Sequence, residues 1–137
     1  MITKRAIGLG FVGVAVLASS SYCQRKAAKP PVPGLMNNVS VVLDNACTAN
    51  PDPVTIHVQD QVSWTAKDQA YKVLFSDSPF TNIQSGTPFP VPMGQASVSG
   101  AVLPNVQKAC SIAPCNYKYT VSGSSGCTND PRVIIKP

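Results

Sequence analysis

VTIHVQDQVSW, residues 54–64, constrains the fold more than any other stretch. Val54, Ile56 and Val58 alternate with Thr55, His57 and Gln59, the two-residue period of a strand with one buried face. Asp60-Gln61 interrupts the alternation as a turn does, and Val62-Ser63-Trp64 resumes it. A strand–turn–strand unit of this kind buries its apolar face only against further strands or a helix. Strong helix formers are scarce beyond the first 20 or so residues, and Glu is absent from the chain. The unit therefore predicts an all-β body.

The remaining segments read the same way. Strands are predicted at Val39–Leu43, Val54–Val58, Val62–Ala66, Ala70–Phe75, Ala96–Leu103, Tyr117–Val121 and Arg132–Lys136. Ser85–Met93 carries three prolines, so it reads as a loop or an irregular edge. Pro104–Asn116 reads as a long loop. Seven to eight short strands separated by Pro- and Gly-rich turns are the pattern of a sandwich or barrel.

Upstream of this body, residues 1–22 have the three parts of an export signal. Lys4 and Arg5 supply positive charge, Ala6–Ala18 is an unbroken apolar run, and small residues follow. The run is shorter than the roughly 20 residues that span a bilayer. Residues 23–34 form a basic, Pro-rich tether, and residues 35–137 form the domain. Cys23 resembles the lipid-modified cysteine of bacterial lipoproteins and is a candidate lipidation site, with Tyr22 where that motif has a small residue. The location expected is exported: periplasmic, secreted or envelope-anchored. Membrane contact is expected only through the N-terminal segment or a lipid on Cys23.

The formal charge of +5 misleads. Lys4, Arg5, Arg25, Lys26 and Lys29 all precede the body. From residue 31 onward, Lys67, Lys72, Lys108, Lys118, Arg132 and Lys136 balance Asp44, Asp52, Asp60, Asp68, Asp77 and Asp130. A neutral body without a basic, aromatic-interleaved patch argues against nucleic acid as a partner. Nucleophilic catalysis has only His57 for a base, and no Gly-x-Ser-x-Gly elbow accompanies it. No phosphate-cradling Gly loop is present. The chain reads as no enzyme. Trp64, Tyr117 and Tyr119 read as core aromatics. Phe80, Phe89 and Met93 lie in Pro-rich loops, and one or more of them is the candidate apolar surface for a protein or cell-envelope partner.

Setting Cys23 aside leaves Cys47, Cys110, Cys115 and Cys127, an even number in a chain read as exported. Two disulfides are expected, with three connectivities open.

As a set, VTIHVQDQVSW, AYKVLF, SPF, VSGAVL, YKYTV and DPRVIIKP resemble the cupredoxin family, the Greek-key sandwiches of plastocyanin and azurin, over Val39–Pro137. The resemblance implies a cupredoxin-like Greek-key sandwich or barrel. It also implies a place for type 1 copper, which needs two imidazoles and a thiolate. At the matching positions stand Tyr71 for the first His, Val121 for the Cys and Ser124 near the second His, while the Met falls near Thr128 or Asn129. The chain holds one His. No type 1 copper and no other cofactor are expected. The resemblance further implies that Cys47 and Cys127 share the copper end of the fold, and hence the pairs Cys47–Cys127 and Cys110–Cys115. The function expected is a non-catalytic binding or structural module stapled by disulfides. The alternative is a surface copper carrier drawing on Met36, Met93, His57 or Cys23.

Overall fold

The structure, a computed structural model, describes residues 36–137. The segments read as an export signal and a tether, and Cys23, lie outside the described residues.

Eleven short strands and one helix make up the described chain: β1 Asn38–Asp44, β2 Thr48–Asn50, β3 Val54–His57, β4 Gln61–Ala66, β5 Tyr71–Leu74, β6 Phe89–Val91, β7 Ala96–Val98, α1 Pro104–Cys110, β8 Cys115–Lys118, β9 Thr120–Gly123, β10 Thr128–Asn129 and β11 Arg132–Lys136. They form three sheets, ordered β2-β1-β4-β7, β10-β9-β5-β6 and β3-β11-β8. Two pairings are parallel. β1 runs beside β4 with Val41 opposite Trp64, and β3 runs beside β11 with Ile56 opposite Ile135. None of the three sheets closes on itself, so the architecture is a β-sandwich of mixed sheets.

Alternation places the core. Val41 and Leu43 of β1, Val62 and Trp64 of β4, Val54 and Ile56 of β3, and Val133 and Ile135 of β11 are all buried, while Thr55, His57 and Val42 between them face out. Trp64 is the hub. Phe75, Phe80 and Phe89 each meet it edge-on at 6.2 Å and Tyr119 at 5.7 Å, and Phe75 stacks on Tyr119 at 5.1 Å. Phe75 follows β5, Phe89 is in β6 and Tyr119 adjoins β9, so these contacts press the first sheet onto the second.

Strands run shorter than the alternation predicts because specific residues cut them. The predicted Tyr117–Val121 strand breaks at Tyr119: its N–H donates to Pro131 O at 3.0 Å in the register of β8 with β11, and Pro131 has no N–H to return, so the ladder ends there. β8 and β9 are the two halves of one run that serves two sheets. The predicted Ala96–Leu103 strand stops at Val98. Ser99 turns inward, its Oγ accepting from Val62 N at 2.9 Å, and Gly100 takes φ 73°. A Cβ at position 100 would collide with Thr81 Oγ1 and with the Asn82 side chain. That close approach lets Thr81 N donate to Ala101 O and Asn82 N to Ser99 O.

The loop expected at Pro104–Asn116 is corrected in part, because its first half is α1. Pro104 sits at the start of the helix, where its missing N–H costs nothing. Val106 and Cys110, four apart, face the core together. The predicted irregular edge at Ser85–Met93 contains β6, an edge strand paired to β5 alone, which is where a sheet tolerates Pro90.

Candidate functional site

β5 and β9 bring Tyr71 and Ser124 to one end of the sandwich. Tyr71 lies opposite Gly123 in the ladder, and Ser124 follows immediately. Gln69 joins the two: its Nε2 donates to Tyr71 Oη at 3.3 Å, and its Oε1 accepts from Ser124 Oγ at 3.0 Å and Ser125 N at 2.9 Å. The Tyr71 hydroxyl in turn donates to Asp68 Oδ1, whose other oxygen accepts from Asn45 N at 3.2 Å. Val121 takes no part in this network. It is fully buried, opposite Val73, and faces the core.

The electrostatics follow from these bonds. The Tyr71 hydrogen bond holds the exposed Asp68 carboxyl below its ordinary value. Burial pushes the Tyr71 phenol up, and the Asp68 carboxylate adds to the effect. A polar cluster therefore fills the end of the sandwich, with the hydroxyl kept protonated and the carboxylate kept charged.

The same end carries a disulfide. Cys47 and Cys127 are bonded, with their Cα atoms 5.8 Å apart and a sequence separation of 80. Cys47 is fully buried and Cys127 half-buried. Gln69 Nε2 lies 3.8 Å from Cys127 Sγ. Asn45, Ala46 and Cys47 have φ of 39°, 61° and 69°. Left-handed backbone costs an L-residue about 1–2 kcal/mol, and non-glycine residues adopt it singly as a rule. Three in succession require external ties. The first is the β1–β2 ladder, which pairs Asp44 with Thr48 across the run; the others are the disulfide, the Asp68 carboxylate on Asn45 N and the Thr48 hydroxyl, which donates to Asn45 O at 2.9 Å. The second disulfide, Cys110–Cys115, links the end of α1 to the start of β8.

Beside the polar cluster runs a groove of about 370 Å³. Gly123 and Ser124, Tyr71 on the strand between, and Pro90, Val91 and Pro92 line it, with Lys72 its one charged lining residue.

The three residues read as a candidate partner surface differ in exposure. Phe80 is 1% exposed, because it packs edge-on against Trp64 and against Phe75 at 5.8 Å. That part of the expectation is corrected. Phe89 is half-buried against Trp64, and Met93 alone stands out, 61% exposed. His57 is on the solvent side, its Nδ1 2.8 Å from Pro137 O. Met36 is exposed. Among the described residues no group of three or more His, Cys, Asp or Glu side chains is placed to hold a metal ion. Among them, too, no helix is long and apolar enough to cross a membrane.

Sequence reasoning passes over Gln69, Asp68 and the left-handed turn. Asn45 is the one signal it had, since Asn tolerates left-handed backbone better than most residues. Gln69 carries no pattern of its own.

Comparison with protein-family models, with curated proteins and with solved structures finds no match.

Proposed function

We propose that this chain is an exported, cupredoxin-like module that works by binding or as a structural element, without type 1 copper and without catalysis. The observation that carries the reading is what occupies the end where the resemblance implies a metal. Tyr71 and Ser124 are linked through Gln69, Val121 is in the core, and a disulfide ties Cys47 to Cys127 beside them. Hydrogen bonds and a covalent bridge thus hold together loops that copper ligation would otherwise join. The single imidazole of the chain, His57, is on the outward face of β3 and engaged with Pro137 O.

Native mass spectrometry of the chain purified from its own cell envelope, followed by copper titration, tests this. The expected mass fits cleavage near residues 18–20 and two disulfides, with no retained metal and no blue thiolate-to-copper absorption on titration. Tight stoichiometric copper binding overturns the copper-free module and establishes the carrier drawing on Met36, Met93, His57 or Cys23. A diacylglycerol-sized increment on Cys23 establishes anchoring.

A further inference from the structure

A free strand edge is a row of unpaired main-chain groups that a further strand can take up, and each of the three sheets has two edge strands. All but one are closed or too short. In β6, Pro90 faces away from β5, with Pro88 and Pro92 at the alternate positions on either side. The carbonyls there are already used: Pro90 O accepts from Ser97 Oγ at 2.9 Å and Pro92 O from Gln95 N at 3.2 Å. β3 follows Pro53, and His57 N on its outer side donates to Asp60 Oδ2 at 2.9 Å. β2, β7 and β10 are three, three and two residues long.

β8 is the exception. Tyr119 N donates to Pro131 O in register with β11, so by alternation Cys115 and Tyr117 exchange bonds with β11 while Asn116 and Lys118 turn their N–H and C=O groups away. No second strand lies on that side among the described residues. The Asn116 and Lys118 side chains are exposed. Tyr117, opposite Val133 and so on the core face, is left half-buried at the margin of the sheet.

We infer that β8 is the interface of a symmetric dimer, pairing antiparallel with β8 of a second copy and joining the two third sheets into one. The residues of β8 select the register. Three registers bring outward-facing main chains together. Asn116 opposite its own copy sets Lys118 against Pro114, which has no N–H to give. Lys118 opposite its own copy sets like charges face to face, and it sets Asn116 against Thr120, which is already paired with Leu74 of β5. Asn116 opposite Lys118 of the second copy avoids both faults. It makes two bonded pairs, with four N–H···O bonds, and puts the two-fold axis at Tyr117. Each Tyr117 then lies directly opposite its own copy in a close, non-bonded pair, and the two rings cover each other's exposed flank. The strand is complementary to itself in this one register, which is why a second copy is its occupant. The interface is small, so association depends on concentration in the range of about 0.01–1 mM. The inference rests on the fold alone, and its failure leaves the copper-free reading untouched.

The test follows the full chain by sedimentation velocity over that range, with amide exchange read at each concentration. The mass is expected to rise from one chain to two, and the Asn116 and Lys118 amides to slow as it does, while β11 stays protected throughout. Asn116→Asp, which sets a carboxylate opposite Lys118 twice across the axis, is expected to tighten the dimer about five-fold. Asn116→Lys, which sets like charges there, is expected to weaken it by at least about as much. Both changes are at an exposed side chain, so the fold is kept, and unchanged thermal denaturation of the dilute protein checks this. A single-chain mass up to about 1 mM overturns the inference. Slow exchange at Asn116 and Lys118 that is independent of concentration also overturns it, and shows the edge covered by the chain's own N-terminal segment. A dimer indifferent to both Asn116 changes overturns it as well.

Discussion

The Tyr71 hydroxyl donates to Asp68 Oδ1 at 2.6 Å, across a turn of three residues at the disulfide-closed end of the sandwich. The bond favours the ionised carboxylate and so holds Asp68 below its ordinary value. A depressed carboxyl contributes stability above its unfolded value and loses it as pH falls through the folded one. Tyr71→Phe is expected to return Asp68 toward the ordinary carboxylate range, read by carbon-detected NMR titration. It is also expected to flatten the acid limb of stability below about pH 4. An unmoved Asp68 titration contradicts this account.

Tyr119 titrates at the other extreme. Burial pushes its phenol up to about 12. Neither Tyr119 Oη nor Trp64 Nε1 has a hydrogen-bond partner among the described residues. The unfolded chain ionises first, so stability is full below about pH 10 and falls as pH rises toward 12, by up to about 3 kcal/mol. Tyr119→Phe is expected to abolish that alkaline loss at little cost at neutral pH, because it removes an unpaired polar atom. Urea denaturation at pH 7 and pH 11 measures both.

Phe80 was expected outside and is inside. Phe80→Ala removes a ring that meets both Trp64 and Phe75, and is expected to cost about 3–5 kcal/mol in chemical denaturation. Met93→Ala, at an exposed side chain, is expected to change stability by less than about 0.5 kcal/mol.

Gly100 has both a positive φ and no room for a side chain. Gly100→Ala is expected to cost at least about 2 kcal/mol, since strain and collision add. Gly86, also at positive φ but with open space around it, is expected to lose only about 1 kcal/mol on the same change. Thermal denaturation of the pair separates collision from backbone strain.

Replacing both Cys47 and Cys127 by Ala removes a constraint over a separation of 80 residues, worth about 4–5 kcal/mol in the chain-entropy model. The loss expected is of that size, about 4–5 kcal/mol, checked by urea denaturation of the oxidised proteins.

The β character was legible because alternation is a property of neighbours in sequence. Val54, Ile56 and Val58, and Val62 with Trp64, announce buried faces directly. The places where strands stop were not legible, because the causes lie far along the chain. Gly100 ends β7 through Thr81 and Asn82, and Tyr119 divides β8 from β9 through Pro131. Phe80 was misplaced for a related reason. Its Pro-rich surroundings describe the backbone and say nothing of Trp64 waiting across the sandwich. At the candidate site the cysteines stood out by count. The network around Gln69 did not, since its partners come from residues 71, 124, 125 and 127.

β3 and β8 each pair with β11 alone. The third sheet therefore has no ladder until residues 132–136 arrive at its centre. β3, formed early in the sequence, holds Val54 and Ile56 without a neighbour until the last strand is inserted beside it. Such non-local closure makes the folding of this domain wait for residues 132–136 rather than proceed strand by strand. A chain synthesised as far as residue 131 holds every other strand and still lacks one of its three sheets.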